Sequence, residues 1–195
     1  SAASGRAPYT APMAPRAHDP RRLDVAAFAA DAQRLEGRWS LAGFTRLVAD
    51  QPADAPPIAG DVVWQARGER RAVPGGEPEI WLHLEASARV YRTCQRCLRP
   101  VELALHVDRR LRFVADENLA AELDADSDDD VLVLERALDL HDLVEDELLL
   151  ALPMVPRHER CPQPLPTPGD EAEPPGEAPH PFAALAGWRG KPPTH

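Results

Sequence analysis

The sequence is short of everything that marks a membrane span or a broad ring-stacking surface. Aromatic residues make up 5% of its 195 positions, too few for a platform on which several bases stack in succession. No stretch approaches roughly 18 consecutive apolar residues, which excludes a transmembrane helix. The N-terminal region has no apolar run of about 7–15 residues ahead of a small-residue cleavage site, so a secretory signal is not expected. The cytoplasm is the expected compartment. Lysine occurs once, at Lys191. Cysteine occurs three times, and an odd number would leave one thiol over in a disulfide framework. In a reducing compartment metal binding is the better use of those cysteines. Catalytic triads, phosphate loops and dinucleotide fingerprints are missing, so a non-enzymatic protein is expected.

Proline and arginine are plentiful instead. Of 22 prolines, 12 lie in 153–195, which predicts a structured middle and a loose tail. The net charge of -10 is distributed in blocks. Residues 1–115 carry 17 Arg against 13 acids, whereas 116–147 carry 14 acids against Arg136 alone. Within the first block, Arg89, Arg92, Arg96, Arg99, Arg109, Arg110 and Arg112 crowd one sector. Salt confines each field to about 8 Å, so an acidic protein can still bind an anion at such a sector.

Hydrophobic spacing organises the chain as a lead-in over 1–18, a single domain over 19–161 and a Pro-rich tail over 162–195. Asp19-Pro20 predicts a helix start. Val25, Phe28, Ala32 and Leu35 continue at helical spacing to Gly37, giving a helix over 20–36. A short strand over 39–41 and a helical turn over 43–50 follow. Strands are predicted over 60–71, 79–92 and 101–114, the last two alternating with period two. Ile80, Leu82, Leu84, Ala86, Ala88 and Val90 form the inward face of one. Val101, Leu103, Leu105, Val107, Leu111 and Phe113 form that of the other, with Arg109 interrupting. A short helix over 117–123, a self-repelling loop at Asp126 and Asp128–Asp130, and a strand over 131–134 come next. Asp139 caps a helix running to about Leu152, ended by Pro153 and Pro156. The tail contains a short apolar motif over 182–188. The expected fold class is α+β: an antiparallel sheet with a CxxC-tipped hairpin, flanked by an N-terminal helix and an acidic C-terminal helix.

Three constellations can carry chemistry. Cys94-x2-Cys97 and His158-x2-Cys161 supply four ligands for a closed, structural zinc site, and Arg92, Arg96 and Arg99 would favour the thiolates. The alternatives are unmetallated thiols or a redox pair, although this CxxC does not open a helix after a parallel strand. Asp142, Glu145, Asp146 and Glu147 spread around the last helix. They form a solvated face or a docking surface, either for a basic partner or for arginines of the chain's own hairpin, with at least one expected toward the buried side. Arg89, Arg92, Arg96, Arg99, Arg110 and Arg112 are the RNA-binding candidates, with Trp81 and Tyr91 as the two rings on the same outward face. Pairing with the acidic block is the competing use of those arginines.

The run Val144-Glu-Asp-Glu-Leu-Leu-Leu-Ala-Leu-Pro-Met-Val-Pro-Arg-His158 closely resembles a signature of the YceD family, the bacterial large ribosomal RNA subunit accumulation proteins. Cys94-Gln-Arg-Cys97-Leu-Arg-Pro100 resembles its second signature. Asp19-Pro-Arg-Arg-Leu23 through Gly37 is similar to its N-terminal helix, and Pro181-Phe-Ala-Ala-Leu-Ala186 to its tail motif. The resemblance implies a non-enzymatic role in the synthesis, processing or stability of 23S ribosomal RNA, with that RNA or the pre-ribosomal large subunit as partner. The alternative is an adaptor or chaperone for a basic ribosomal protein without RNA contact. No membrane or small-molecule partner is implied.

Overall fold

A computed structural model describes residues 17–126 and 130–162. The lead-in before residue 17, Asp128 and Asp129 of the acidic loop, and the tail from residue 163 with its 182–188 motif lie outside the described residues. Among those described, no helix is long and apolar enough to cross a membrane.

The elements run α1 (Val25–Ala30), β1 (Arg34–Ser40), a 3-10 turn (Leu41–Gly43), α2 (Thr45–Val48), β2 (Asp61–Arg71), β3 (Glu79–Thr93), β4 (Pro100–Val114), α3 (Glu117–Asp126), β5 (Asp130–Val133) and α4 (Leu140–Leu150). The strands form one five-stranded sheet in sequence order. The fold is α+β, as the residue pattern predicts. One pairing departs from the antiparallel expectation: β5 lies parallel to β4. A parallel neighbour needs a crossover of about a dozen residues or more, and the segment carrying α3 supplies it.

The first helix is also corrected. Asp19 closes only a turn, accepting from Arg21 N at 2.9 Å. Leu23 then exchanges backbone hydrogen bonds with Leu138, so the chain cannot be helical there. Asp24 is the real N-cap, accepting from Ala27 N at 2.9 Å. Ala32 adopts a φ of 47°, and Gln33 N reaches back to Phe28 O, a left-handed stop that ends the helix before residues 34–36. Those residues join β1, where Gly37 pairs with Trp64 rather than capping a helix.

The alternation read from the sequence places the core. Leu82, Leu84, Ala86, Ala88 and Val90 of β3 and Leu105, Val107, Leu111 and Phe113 of β4 are buried. They pack with Phe28, Phe44, Leu47, Leu140, Val144 and Leu148 in one cluster. The other face of the sheet remains largely open. There Asp61, Val63, Arg67, Arg71, Arg89, Glu102, His106, Asp108 and Arg110 are exposed, and His83, Glu85 and Ser87 are half-buried. A separate small cluster at the hairpin tip gathers Cys94, Cys97 and Val101, with Leu103 and Cys161 against it.

Candidate functional site

β3 and β4 pair along their length, from Ile80 opposite Phe113 to Thr93 opposite Pro100. The connection between them is therefore tight, and it is a knuckle. Cys94 N donates to Arg99 O at 2.9 Å and Leu98 N to Cys94 O at 2.9 Å. Leu98 takes the left-handed conformation at φ 57°, which turns the chain sharply enough for both thiols of Cys94-x2-Cys97 to point inward. Pro153 and Pro156 follow α4, and the emerging chain is tied to the knuckle by Gln95 N donating to Pro156 O at 2.9 Å. That tie carries His158 and Cys161 onto the two thiols.

The four donor atoms of Cys94, Cys97, His158 and Cys161 all lie within 4.8 Å of one another. Two sulfurs bound to one tetrahedral zinc at about 2.3 Å stand about 3.8 Å apart, and a sulfur and an imidazole nitrogen about 3.6 Å. Cys94 Sγ and Cys161 Sγ are 3.9 Å apart, and Cys97 Sγ and His158 Nδ1 are 3.4 Å apart. The set therefore has the donors and the size that zinc takes. Its outer support is also in place. His158 Nε2 stands 3.0 Å from Pro100 O, a carbonyl that can only accept, so the ring proton sits on Nε2 and Nδ1 faces the sulfurs with its lone pair.

Electrostatics favour a thiolate at one corner. Burial opposes ionisation of Cys94, but backbone N–H groups of His158, Arg96 and Cys97 donate toward its sulfur and lower the thiol to about 5. Cys161 is pushed up to about 11 by burial and by sharing hydrogen bonds with Cys97 and Cys94. The sequence assigned this activation to the Arg92, Arg96 and Arg99 side chains. It comes instead first from the His158 backbone N–H on the segment leaving α4, then from the Arg96 and Cys97 N–H groups of the knuckle, with the His158 side chain adding to them.

The arginine sector is only partly a surface. Arg92 is corrected: it is buried, donating to Leu47 O and Tyr91 O at 2.6 and 2.9 Å, and it joins the hairpin to α2. Burial also lowers its pKa. Arg89 pairs with Glu102 at 3.2 Å, Arg112 with Glu79 at 2.8 Å, and Arg99 lies 4.0 Å from Asp54. Arg96 and Arg110 are exposed, and no carboxylate of the described residues comes within ion-pair distance of Arg110. Of the two rings, Tyr91 is half-buried with its hydroxyl 3.5 Å from Glu102 Oε1, and Trp81 is not free for stacking. Trp81 is only 5% exposed, with Arg71 4.7 Å and Arg112 6.0 Å above it.

The acidic helix divides in the same way. Glu145 and Glu147 are both buried and occupied within the chain, which corrects them as docking candidates for an outside partner, and Glu147 takes the other use read from the sequence, an arginine of the chain's own hairpin. Glu145 accepts from Arg46 N, Leu47 N and Arg46 Nε at 2.8, 3.0 and 3.0 Å, supplying the cap that α2 lacks. Glu147 meets Arg109 Nε at 3.3 Å, which explains the arginine that interrupts the inward face of β4. Asp142 and Asp146 remain at the surface, the latter bonded to Arg46.

The sheet register brings together residues that strand-by-strand reading missed. Arg34 lies opposite Arg67, Arg67 opposite His83, and His83 opposite Arg110, a basic row across four strands. The parity of positions 67, 71, 81 and 83 was visible in the sequence, but the pairing that aligns them with Arg110 was not. Elsewhere on this face, Ser87 and His106 are directly opposite each other, and among the described residues no hydrogen bond joins them.

A family model described as Large ribosomal RNA subunit accumulation protein YceD matches residues 82–188, more than half of the chain. The match contains all four sulfur and imidazole donor residues and α4, and begins after the N-terminal helix. No curated protein and no solved structure matches the chain.

Proposed function

The chain belongs to the YceD family, and from that premise we propose that it supports the synthesis, processing or stability of 23S ribosomal RNA without itself catalysing a reaction. The observation that carries this reading is the match over 82–188, which includes the knuckle and the helix that closes on it. In this reading the ion is zinc and its role is structural. Four protein donors complete a tetrahedron and leave no position for a substrate. Cys94, Cys97, Cys161 and His158 Nδ1 hold it, and its chemistry is to fix the β3–β4 tip to the chain leaving α4.

RNA contact falls to the open face of the sheet, where arginine is exposed and, among the described residues, no helix packs. Depletion of the protein in cells is expected to lower 23S relative to 16S ribosomal RNA. An unchanged ratio on full depletion overturns the proposal.

A second reading is favoured by the exposed acids Asp116, Glu117, Glu122 and Asp142. It makes the protein an adaptor for a basic ribosomal protein. Nuclease treatment during a pull-down separates the two: an adaptor keeps its partner, and an RNA-bound factor loses its associated ribosomal material.

A further inference from the structure

We propose that Arg67, Arg71, Arg110 and His83 form a cradle for the phosphodiester backbone of RNA on the open face of the sheet. This rests on the reading of the chain as an RNA-contacting factor and gives that contact a place. A cavity of about 140 Å³ is lined by Arg67, Glu69, Arg71, Trp81, His83 and Arg110. It is smaller than the roughly 300 Å³ at which small-molecule sites begin, so it suits one charged group and not a drug-sized ligand.

The charges around it are unbalanced. Arg67 and Arg110 stand on either side of His83 at directly opposed positions on β2, β3 and β4, which sets two guanidiniums on one row of this face. The neighbouring row, Glu36, Gln65, Glu85 and Asp108, could have relieved this. It engages Arg34 at the end of the row and His83 at its centre, which Glu85 also approaches at 4.0 Å. Arg34 reaches Glu36 at 2.9 Å and His83 reaches Asp108 at 2.8 Å. Arg67 and Arg110 have no carboxylate of the described residues within ion-pair distance. Glu69, the single acid in the lining, is engaged by Arg71 at 3.4 Å, and the Trp81 ring holds Arg71 in place at 4.7 Å. Two unpaired guanidiniums and a third fixed over an aromatic floor make a site that an anion completes.

The rings limit what is read. With Trp81 covered by arginine, the cradle itself offers no face for a base to stack on, so the contact there is to backbone phosphate and tolerates sequence.

The test uses the full chain and a mixed-sequence single-stranded RNA of about 20 nucleotides, titrated at several salt concentrations. The double variant Arg67→Gln, Arg110→Gln is expected to melt no lower than the native chain, because neither guanidinium has a carboxylate partner among the described residues to lose. It is expected to bind at least ten-fold more weakly, with the salt slope reduced by about 1.4, the value for two phosphate contacts on single strands. Arg89→Gln, whose arginine is already paired, is expected to bind as native. Native-level binding and slope in the double variant overturns this placement and leaves the RNA reading standing. A native chain that binds no RNA overturns that reading and the cradle with it. Inorganic phosphate at matched ionic strength is expected to displace RNA no better than chloride, and specific displacement would assign the cavity to free phosphate instead.

Discussion

Glu145, Asp146 and Glu147 are consecutive, yet burial gives them different energetics. Truncating Glu145 strips the acceptor from Arg46 N and Leu47 N, and a buried donor left unpaired costs about 1–3 kcal/mol. Glu145→Ala is therefore expected to destabilise the chain by about 2–3 kcal/mol in urea denaturation. Asp146→Ala, an exposed pair, should change it by no more than about 0.5 kcal/mol. Equal effects from the two would contradict the capping role. Glu147 predicts a pH dependence. Burial, opposed by Arg109, raises its pKa above the ordinary 4.5. A raised carboxylate favours the neutral form in the folded state, so its contribution is fully present below the ordinary value and lost as pH rises through the raised one. Glu147→Gln is thus expected to gain stability relative to the native chain between about pH 4 and neutrality, with Asp130 still 3.7 Å from Arg109. A pH-independent difference would contradict this. That one of these acids would turn inward was legible from their angular spread. Arg92 was misjudged although it shares parity with Val90, because an arginine between exposed arginines reads as surface until its carbonyl partner on α2 is known.

Glycine decides how two elements meet. A Cβ at Gly68 would lie 2.7 Å from Ala29 Cα and 2.7 Å from Phe28 O. Both belong to the backbone of α1, which cannot yield as a side chain can. Gly68→Ala is expected to cost about 1–3 kcal/mol, the range for overpacking a core, whereas Gly76→Ala, whose nearest neighbour would be Val73 Cγ1 at an ordinary 3.4 Å, should cost much less. Indistinguishable denaturation midpoints would show that α1 is not seated on β2 in this way. The long strands and α4 were legible because their periodicity runs over many residues. The helix over 20–36 was not. Val25 and Phe28 keep helical spacing, but the bridge at Leu23 and the left-handed Ala32 are set by tertiary pairing. A glycine in β1 opposite Trp64 looks locally identical to a helix stop.

The molecule has two cores of unequal size. The main one lies between the sheet and the helices, and the smaller one surrounds Cys94 and Cys97. On the proposed zinc reading, metal removal is therefore expected to act locally. On chelation, amides of Cys94–Leu98 and of 157–161 should exchange rapidly in hydrogen-exchange measurements, while β2 and β3 stay protected. Global loss of protection would mean that the metal holds the whole domain. That Cys94, Cys97, His158 and Cys161 would meet was legible in the sequence, because a CxxC and an HxxC have few other uses together. The open-face arginines were only half legible, because charge blocks along a chain do not reveal which carboxylates fold back on them.

The most direct measurement of the central claim, that this chain works on large-subunit ribosomal RNA through the open sheet face, is ultraviolet crosslinking in cells with both RNA and peptide adducts identified. The account predicts 23S ribosomal RNA adducts on peptides of β2, β3 and β4 that carry Arg67, His83 and Arg110. Crosslinks to protein alone, or RNA adducts confined to other peptides, would contradict it.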